Sequence, residues 1–145
     1  MNKDSGFTII ELLIVLSILS ILLVIGTTFH IKTYQTYQFN RWYQIFESDI
    51  MFMQQQTIAS MGSFYMLIKP SSHTYEIRNG GFGEIIIERP IPDTWEIKLD
   101  TLTMPLSFST NGTVKQPGKF QIRTPSNSYD ITFPFGKGRS YLVET

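Results

Sequence analysis

From Phe7 to Phe29 the chain runs through 23 residues in which Glu11 is the only charged side chain. As a helix the run is about 34 Å long at ~1.5 Å per residue, against a hydrocarbon core of ~30 Å, so it can span a membrane. An unpaired carboxylate inside such a span costs several kcal/mol, and Glu11 therefore demands a partner. The six residues before the run, Met1-Asn2-Lys3-Asp4-Ser5-Gly6, are polar with a single lysine. A secretory signal pairs a basic start with a shorter apolar stretch of roughly 7–15 residues and a small-residue cleavage site close behind it. Neither holds here. On these features alone the run is an uncleaved anchor with its N-terminus inside, an orientation resting on Lys3 before it and on Lys32 and Arg41 after it.

With 145 residues there is room for one such segment and one domain of roughly 80–100 residues. Twelve basic residues balance twelve acidic ones, so no whole-chain field draws in nucleic acid or anionic lipid. Eleven Phe, seven Tyr and two Trp are enough for a packed core. The absence of cysteine excludes a disulfide framework, thiol catalysis, Cys-based metal sites and a lipidated N-terminal cysteine. It does not fix a redox compartment, since an adequate core needs no covalent staple.

Beyond Phe29 neither proline nor glycine occurs until Gly62, and apolar residues recur at helical spacing: Ile31, Tyr34, Phe39, Trp42, Ile45, Phe46, Ile50, Met53, Ile58 and Met61. Gln35, Gln38, Arg41, Gln44, Glu47 and Gln54 to Gln56 fall opposite. The pattern predicts that the helix continues over 30–62 as an amphipathic half, with a weak point at Gly26-Thr27-Thr28 and a stop at Gly62. From 63 to 145 the period changes to two. Strands are expected at Phe64–Lys69, Thr74–Arg78, Glu84–Arg89, Trp95–Leu99, Leu106–Phe108, Lys119–Thr124, Tyr129–Phe135 and Arg139–Glu144, with turns at Pro70-Ser71-Ser72, Asn79-Gly80-Gly81 and Asn111-Gly112. Pro134, inside one of them, argues for an edge strand because proline donates nothing to a ladder. The fold class is α+β: a helix followed by an antiparallel sheet, one face of which the stripe on residues 42–61 covers.

Gly6-Phe7-Thr8-Ile9-Ile10-Glu11-Leu12-Leu13, behind a short polar leader and ahead of an apolar helix, resembles the class III leader of type IV pilins and pseudopilins. The resemblance implies a leader over 1–6, an assembly helix over 7–29, and a prepilin peptidase that cleaves between Gly6 and Phe7 and N-methylates Phe7. It also implies a partner for Glu11: the cationic N-terminus of a neighbouring subunit, which adds to the positive end of that helix's dipole. In a low-dielectric packing zone such a pair offsets the desolvation of both charges. Further matches at Asp49-Ile50-Met51, Gln54-Gln55-Gln56-Thr57, Ile87-Glu88-Arg89-Pro90, Tyr129-Asp130-Ile131-Thr132 and Gly136-Lys137-Gly138-Arg139 are similar to a minor pseudopilin of the Gram-positive competence pilus. They imply a structural subunit that acts with a major pilin and other minor pilins in DNA uptake. The alternatives are a minor pseudopilin of a type II secretion-like system and a DNA-binding subunit at a pilus tip. Single-pass insertion with the N-terminus cytoplasmic, then display on the cell surface, goes with this reading.

Residues for catalysis are sparse. His30 and His73 lack a companion at metal-ligand spacing. Gly80-Gly81-Phe82-Gly83 and Gly136-Lys137-Gly138 lead into strands and make hairpins rather than phosphate loops. The carboxylate pairs Glu76 with Glu84 and Glu88 with Asp93 are expected on solvated faces. No enzyme, metal or cofactor is expected. For DNA the candidates are Lys115, Lys119, Arg123, Lys137 and Arg139, opposed from Thr113 onward by Asp130 and Glu144. Lys119 and Arg123 share one face of a strand whose other face carries Phe120 and Ile122. Such residues make salt-dependent phosphate contacts, and they also guard strand edges against mispairing.

Overall fold

The protein is described from a computed structural model over residues 8–60, 62–81 and 83–145, with the side chains of 25–31 left aside. One helix, α1, covers Ile9–Ser60 and runs through Gly26-Thr27-Thr28 without a break in assignment. It ends two residues before Gly62, whose N–H donates to Ser60 Oγ at 3.2 Å. Eight strands follow: β1 Phe64–Lys69, β2 Thr74–Asn79, β3 Glu84–Pro90, β4 Glu96–Lys98, β5 Leu106–Ser107, β6 Gly118–Arg123, β7 Ser128–Phe133 and β8 Tyr141–Glu144. Two compact units divide the chain, Met1–Gln35 and Thr36–Thr145.

In the first unit the described helix carries an unbroken exposed surface from Ile9 to Val24. Those 16 positions make about 24 Å of helix at ~1.5 Å per residue, short of the ~30 Å hydrocarbon core. Among the described residues no helix is long and apolar enough to cross a membrane. The expected run continues over 25–29, and the side chains there lie outside the description.

The second unit is built on residues 36–60 of α1. Phe39, Trp42, Tyr43, Phe46, Asp49, Ile50, Met53 and Thr57 are buried, a stripe at steps of three and four that keeps to one side of the cylinder. Ile45 and Ile58, expected in that stripe, are 40% and 49% exposed. At 100° per residue they sit roughly 100–120° away from its centre, beyond the reach of the core.

All strand pairs are antiparallel, but they form two four-stranded sheets rather than one, ordered β3-β2-β1-β5 and β4-β6-β7-β8. The helix meets both. Phe46 packs edge-on to Tyr75 of the first sheet at 5.4 Å and to Phe120 of the second at 5.7 Å, and Phe39 stacks on Tyr129 at 3.5 Å. Trp95, fully covered, lies edge-on to Trp42 at 5.7 Å and closes the aromatic layer.

Pro134 does not mark an edge. β7 stops at Phe133 and is interior, between β6 and β8, so the proline terminates a strand instead of sitting in one. The Asn111-Gly112 turn forms as expected: Gly112 has φ 76° and donates to the Ser109 carbonyl at 2.9 Å. Gln54 Nε2 donates to the Gly112 carbonyl, which ties this turn to the helix.

Candidate assembly surface

Gly6 and Phe7, the expected cleavage and methylation positions, lie outside the described residues. Two residues on, Thr8 caps α1. Its Oγ1 accepts from the Glu11 N–H at 3.4 Å, and its carbonyl accepts from the Leu12 N–H at 3.2 Å. With Ile9 the first helical residue, Thr8 and Glu11 stand at the Ncap and N3 positions, the Thr-x-x-Glu spacing of a capping box, of which the Thr8 side-chain bond is formed. The spacing is legible in the sequence, and the sequence reading missed it. An acidic group in the first turn also gains ~0.3–1 kcal/mol from its own helix dipole, so Glu11 has one favourable neighbour within the chain.

Past Glu11 the surface is apolar all round. Ser17 and Ser20 are the polar exceptions, and each returns its hydroxyl to the carbonyl four residues earlier, Leu13 and Leu16, at 2.8 Å. Their polar groups are thus satisfied within the helix. A helix apolar on every side requires an apolar surrounding, either lipid or other helices.

The five basic candidates lie on β6 and on the loops that precede β6 and β8. Lys119 and Arg123 share a face of β6 with Gln121, while Phe120 and Ile122 are buried on the other. Both are engaged: Lys119 pairs with Asp130 at 3.0 Å and Asp100 at 3.7 Å, and Arg123 pairs with Glu96 at 3.1 Å. The hydrogen bond to Asp130 raises the Lys119 ammonium above its usual range, and the same bond holds the Asp130 carboxyl below its own. Lys137 and Arg139 are exposed in the β7–β8 connection. Lys115 is exposed before β6, next to Val114, whose N–H donates to the Lys137 carbonyl at 3.1 Å.

Two buried carboxylates went unrecognised in the sequence. Asp49, on the core side of α1, accepts from the Tyr75 hydroxyl at 2.7 Å and from Arg89 Nε and a terminal nitrogen at 3.0 and 3.3 Å. Burial, reinforced by Asp49, holds the Tyr75 phenol well above its ordinary range, and Asp49 raises the Arg89 guanidinium. Glu76, expected on a solvated face opposite Glu84, is only 3% exposed. Lys69 and Arg78 hold it, the latter with Nε at 2.7 Å, and the hydrogen bond from Lys69 leads in drawing its carboxyl below the usual range. His73 Nε2 lies 3.0 Å from the Trp95 carbonyl. Among the described residues no group of three or more His, Asp or Glu stands where a metal would bind.

Comparison with known proteins bears on the helix and on the whole chain. Residues 1–27 match the prokaryotic N-terminal methylation motif. The chain is similar to competence protein ComGD of Bacillus subtilis (strain 168), with 32% identity over 139 residues, 96% of this chain and 93% of that one. Its fold is similar to that of the minor pseudopilin EpsH from the type 2 secretion system of Vibrio cholerae, with a TM-score of 0.54 at 14% identity over 69% of this chain and 91% of that one. The methylation motif, the pseudopilin fold and near-full-length identity agree: the chain belongs to the type IV pilin-like family that includes ComGD.

Proposed function

We propose that this chain is a minor pilin subunit of a competence pilus, a structural component of the apparatus for DNA uptake. The reading is carried by the uncovered apolar helix over Ile9–Val24, opened by the Thr8 cap and lying within the matched N-terminal methylation motif. A surface apolar on all sides is suited to lipid before assembly and to parallel pilin helices afterwards. In this reading the precursor sits in the cell membrane with its N-terminus cytoplasmic. A prepilin peptidase cleaves between Gly6 and Phe7 and methylates Phe7, and the subunit joins the major pilin and other minor pilins at the cell surface. Glu11 sets the register by meeting a neighbour's N-terminal amine. The role is structural rather than catalytic, and Lys119 and Arg123 are engaged by carboxylates within the chain.

Mass spectrometry of the mature chain from producing cells tests the first half of the proposal. The expected mass begins at Phe7 and carries one additional methyl group; an intact Met1 or Asn2 start overturns it. Glu11→Ala tests the second half. Cleavage should proceed while incorporation into sheared fibres is lost, and wild-type incorporation of that variant would remove Glu11 from the assembly role.

A further inference from the structure

The connection between β7 and β8 turns alternate residues towards the domain and away from it. A turn over 134–137 closes where the Lys137 N–H donates to the Pro134 carbonyl at 3.4 Å, with Gly136 in its third position at φ 70°. Phe135, at its corner, is 85% exposed, more than any other large hydrophobic side chain among the described residues. Beyond the turn, Gly138 and Ser140 face inward. A Cβ on Gly138 would run into the Gln54 side chain and the Gly112 carbonyl, and Ser140 Oγ lies 3.3 Å from the Tyr43 hydroxyl. Lys137, Arg139 and Tyr141 alternate with them and are exposed. Lys115 joins this group from a neighbouring segment, because the Val114 N–H donates to the Lys137 carbonyl at 3.1 Å.

The cations here differ from those on the strands. Lys69, Arg78, Arg89, Lys98, Lys119 and Arg123 each pair with a carboxylate. Lys115, Lys137 and Arg139 make no ion pair among the described residues, and Glu47, which lines the same small cavity as Arg139, is not bonded to it. We infer that this loop binds single-stranded nucleic acid. Lys115, Lys137 and Arg139 take phosphates, and Phe135 and Tyr141, one on each side of the two loop cations, stack on bases. A bare polyanion would satisfy the cations and leave the two exposed rings unused. An anionic membrane would use both, but it lies flat. Tyr141 stands opposite Thr132 on the outer face of the second sheet, and Asp130 and Glu96 on that face would be pressed against the lipid charge. A single strand that follows the loop avoids them. The inference goes beyond the structural role proposed above and does not depend on it.

The test uses the full-length chain in a neutral detergent and a fluorescently labelled oligothymidine strand, read by anisotropy at about 50 mM salt. Binding should weaken with salt along a log–log slope of about −2, for three phosphate contacts at ~0.7 each. Combining Lys137→Ala with Arg139→Ala should bring the slope to about −0.7 and lower affinity by roughly tenfold or more. Phe135→Ala should lower affinity roughly 5- to 150-fold without moving the slope, and Phe135→Trp should retain it. Arg41→Ala, at an exposed cation on α1, should change neither quantity. The altered side chains are all exposed, so melting temperatures should stay at the wild-type value. Absence of binding, equal affinity for the matching duplex, or a Phe135→Ala variant that binds like wild type overturns the inference. So does displacement of the strand by phosphatidylglycerol added to the micelles, or competition by inorganic polyphosphate as strong as that by unlabelled strand. None of these results touches the pilin role, which is read separately from the mass of the mature chain.

Discussion

Asp49 occupies a place on α1 flanked by Phe46, Ile50 and Met53, where any unpaired carboxylate is strongly disfavoured. Its two partners come from strands 26 and 40 residues away in sequence, so a single ion-paired node joins the helix to β2 and to edge strand β3. Tyr75→Phe removes one hydrogen bond to a charged acceptor and should cost about 1.5–3 kcal/mol in denaturant unfolding. Combining it with Arg89→Ala should cost measurably less than the sum of the two, because both act on the same carboxylate. Glu76 adds a pH dependence. Its folded pKa is depressed, so its contribution is complete above the unfolded value of about 4.3 and disappears as pH falls through the lower folded value. Lys69 and Arg78 are partly exposed and resolvate, which brings the cost of Glu76→Gln at pH 7 below that of a fully buried pair, to about 1–3 kcal/mol. Thermal melts from pH 7 to pH 3 should show the gap between wild type and Glu76→Gln closing at the acid end. Neither carboxylate was legible in the sequence. Alternation put Glu76 on a wet face, and only long-range pairing reveals what holds it.

At the scale of elements, local periodicity carried a good deal. β1 begins and ends where the alternation predicts, and the Asn111-Gly112 turn is where its φ requirement puts it. The division into two sheets was not legible, because β5 joins β1 and β4 joins β6 across intervening strands that no local signal orders. One close approach holds the second sheet to its neighbouring loop. Lys119, at the start of β6, accepts from the N–H groups of both Thr101 and Leu102 at 3.0 Å. This contact leaves Gly118 no room for a side chain: a Cβ there would lie 2.6 Å from Leu102 Cα and 2.7 Å from the Thr101 oxygen. Since both are backbone atoms, Gly118→Ala should cost about 1–3 kcal/mol, read as a lowered melting temperature with the fold retained.

At the scale of the molecule, every buried hydrophobic among the described residues, from Phe39 to Phe133, belongs to the unit Thr36–Thr145. A chain beginning at Thr36 should therefore melt cooperatively, with near-ultraviolet dichroism matching that of the full-length protein in detergent; a molten spectrum would show that the preceding helix is needed for packing. The candidate assembly surface was the most legible part of the protein. Its signal is consecutive and local, a processing motif and an apolar run that need no partner from elsewhere in the chain. The uncovered helix also has a consequence for how the protein changes over time. From Ile9 to Val24 every residue is exposed, so exchanging one branched aliphatic residue for another leaves the folding stability of the subunit almost untouched. Whatever preserves shape along that run acts from outside the molecule, and the run will drift in step with the chains it meets rather than with its own domain.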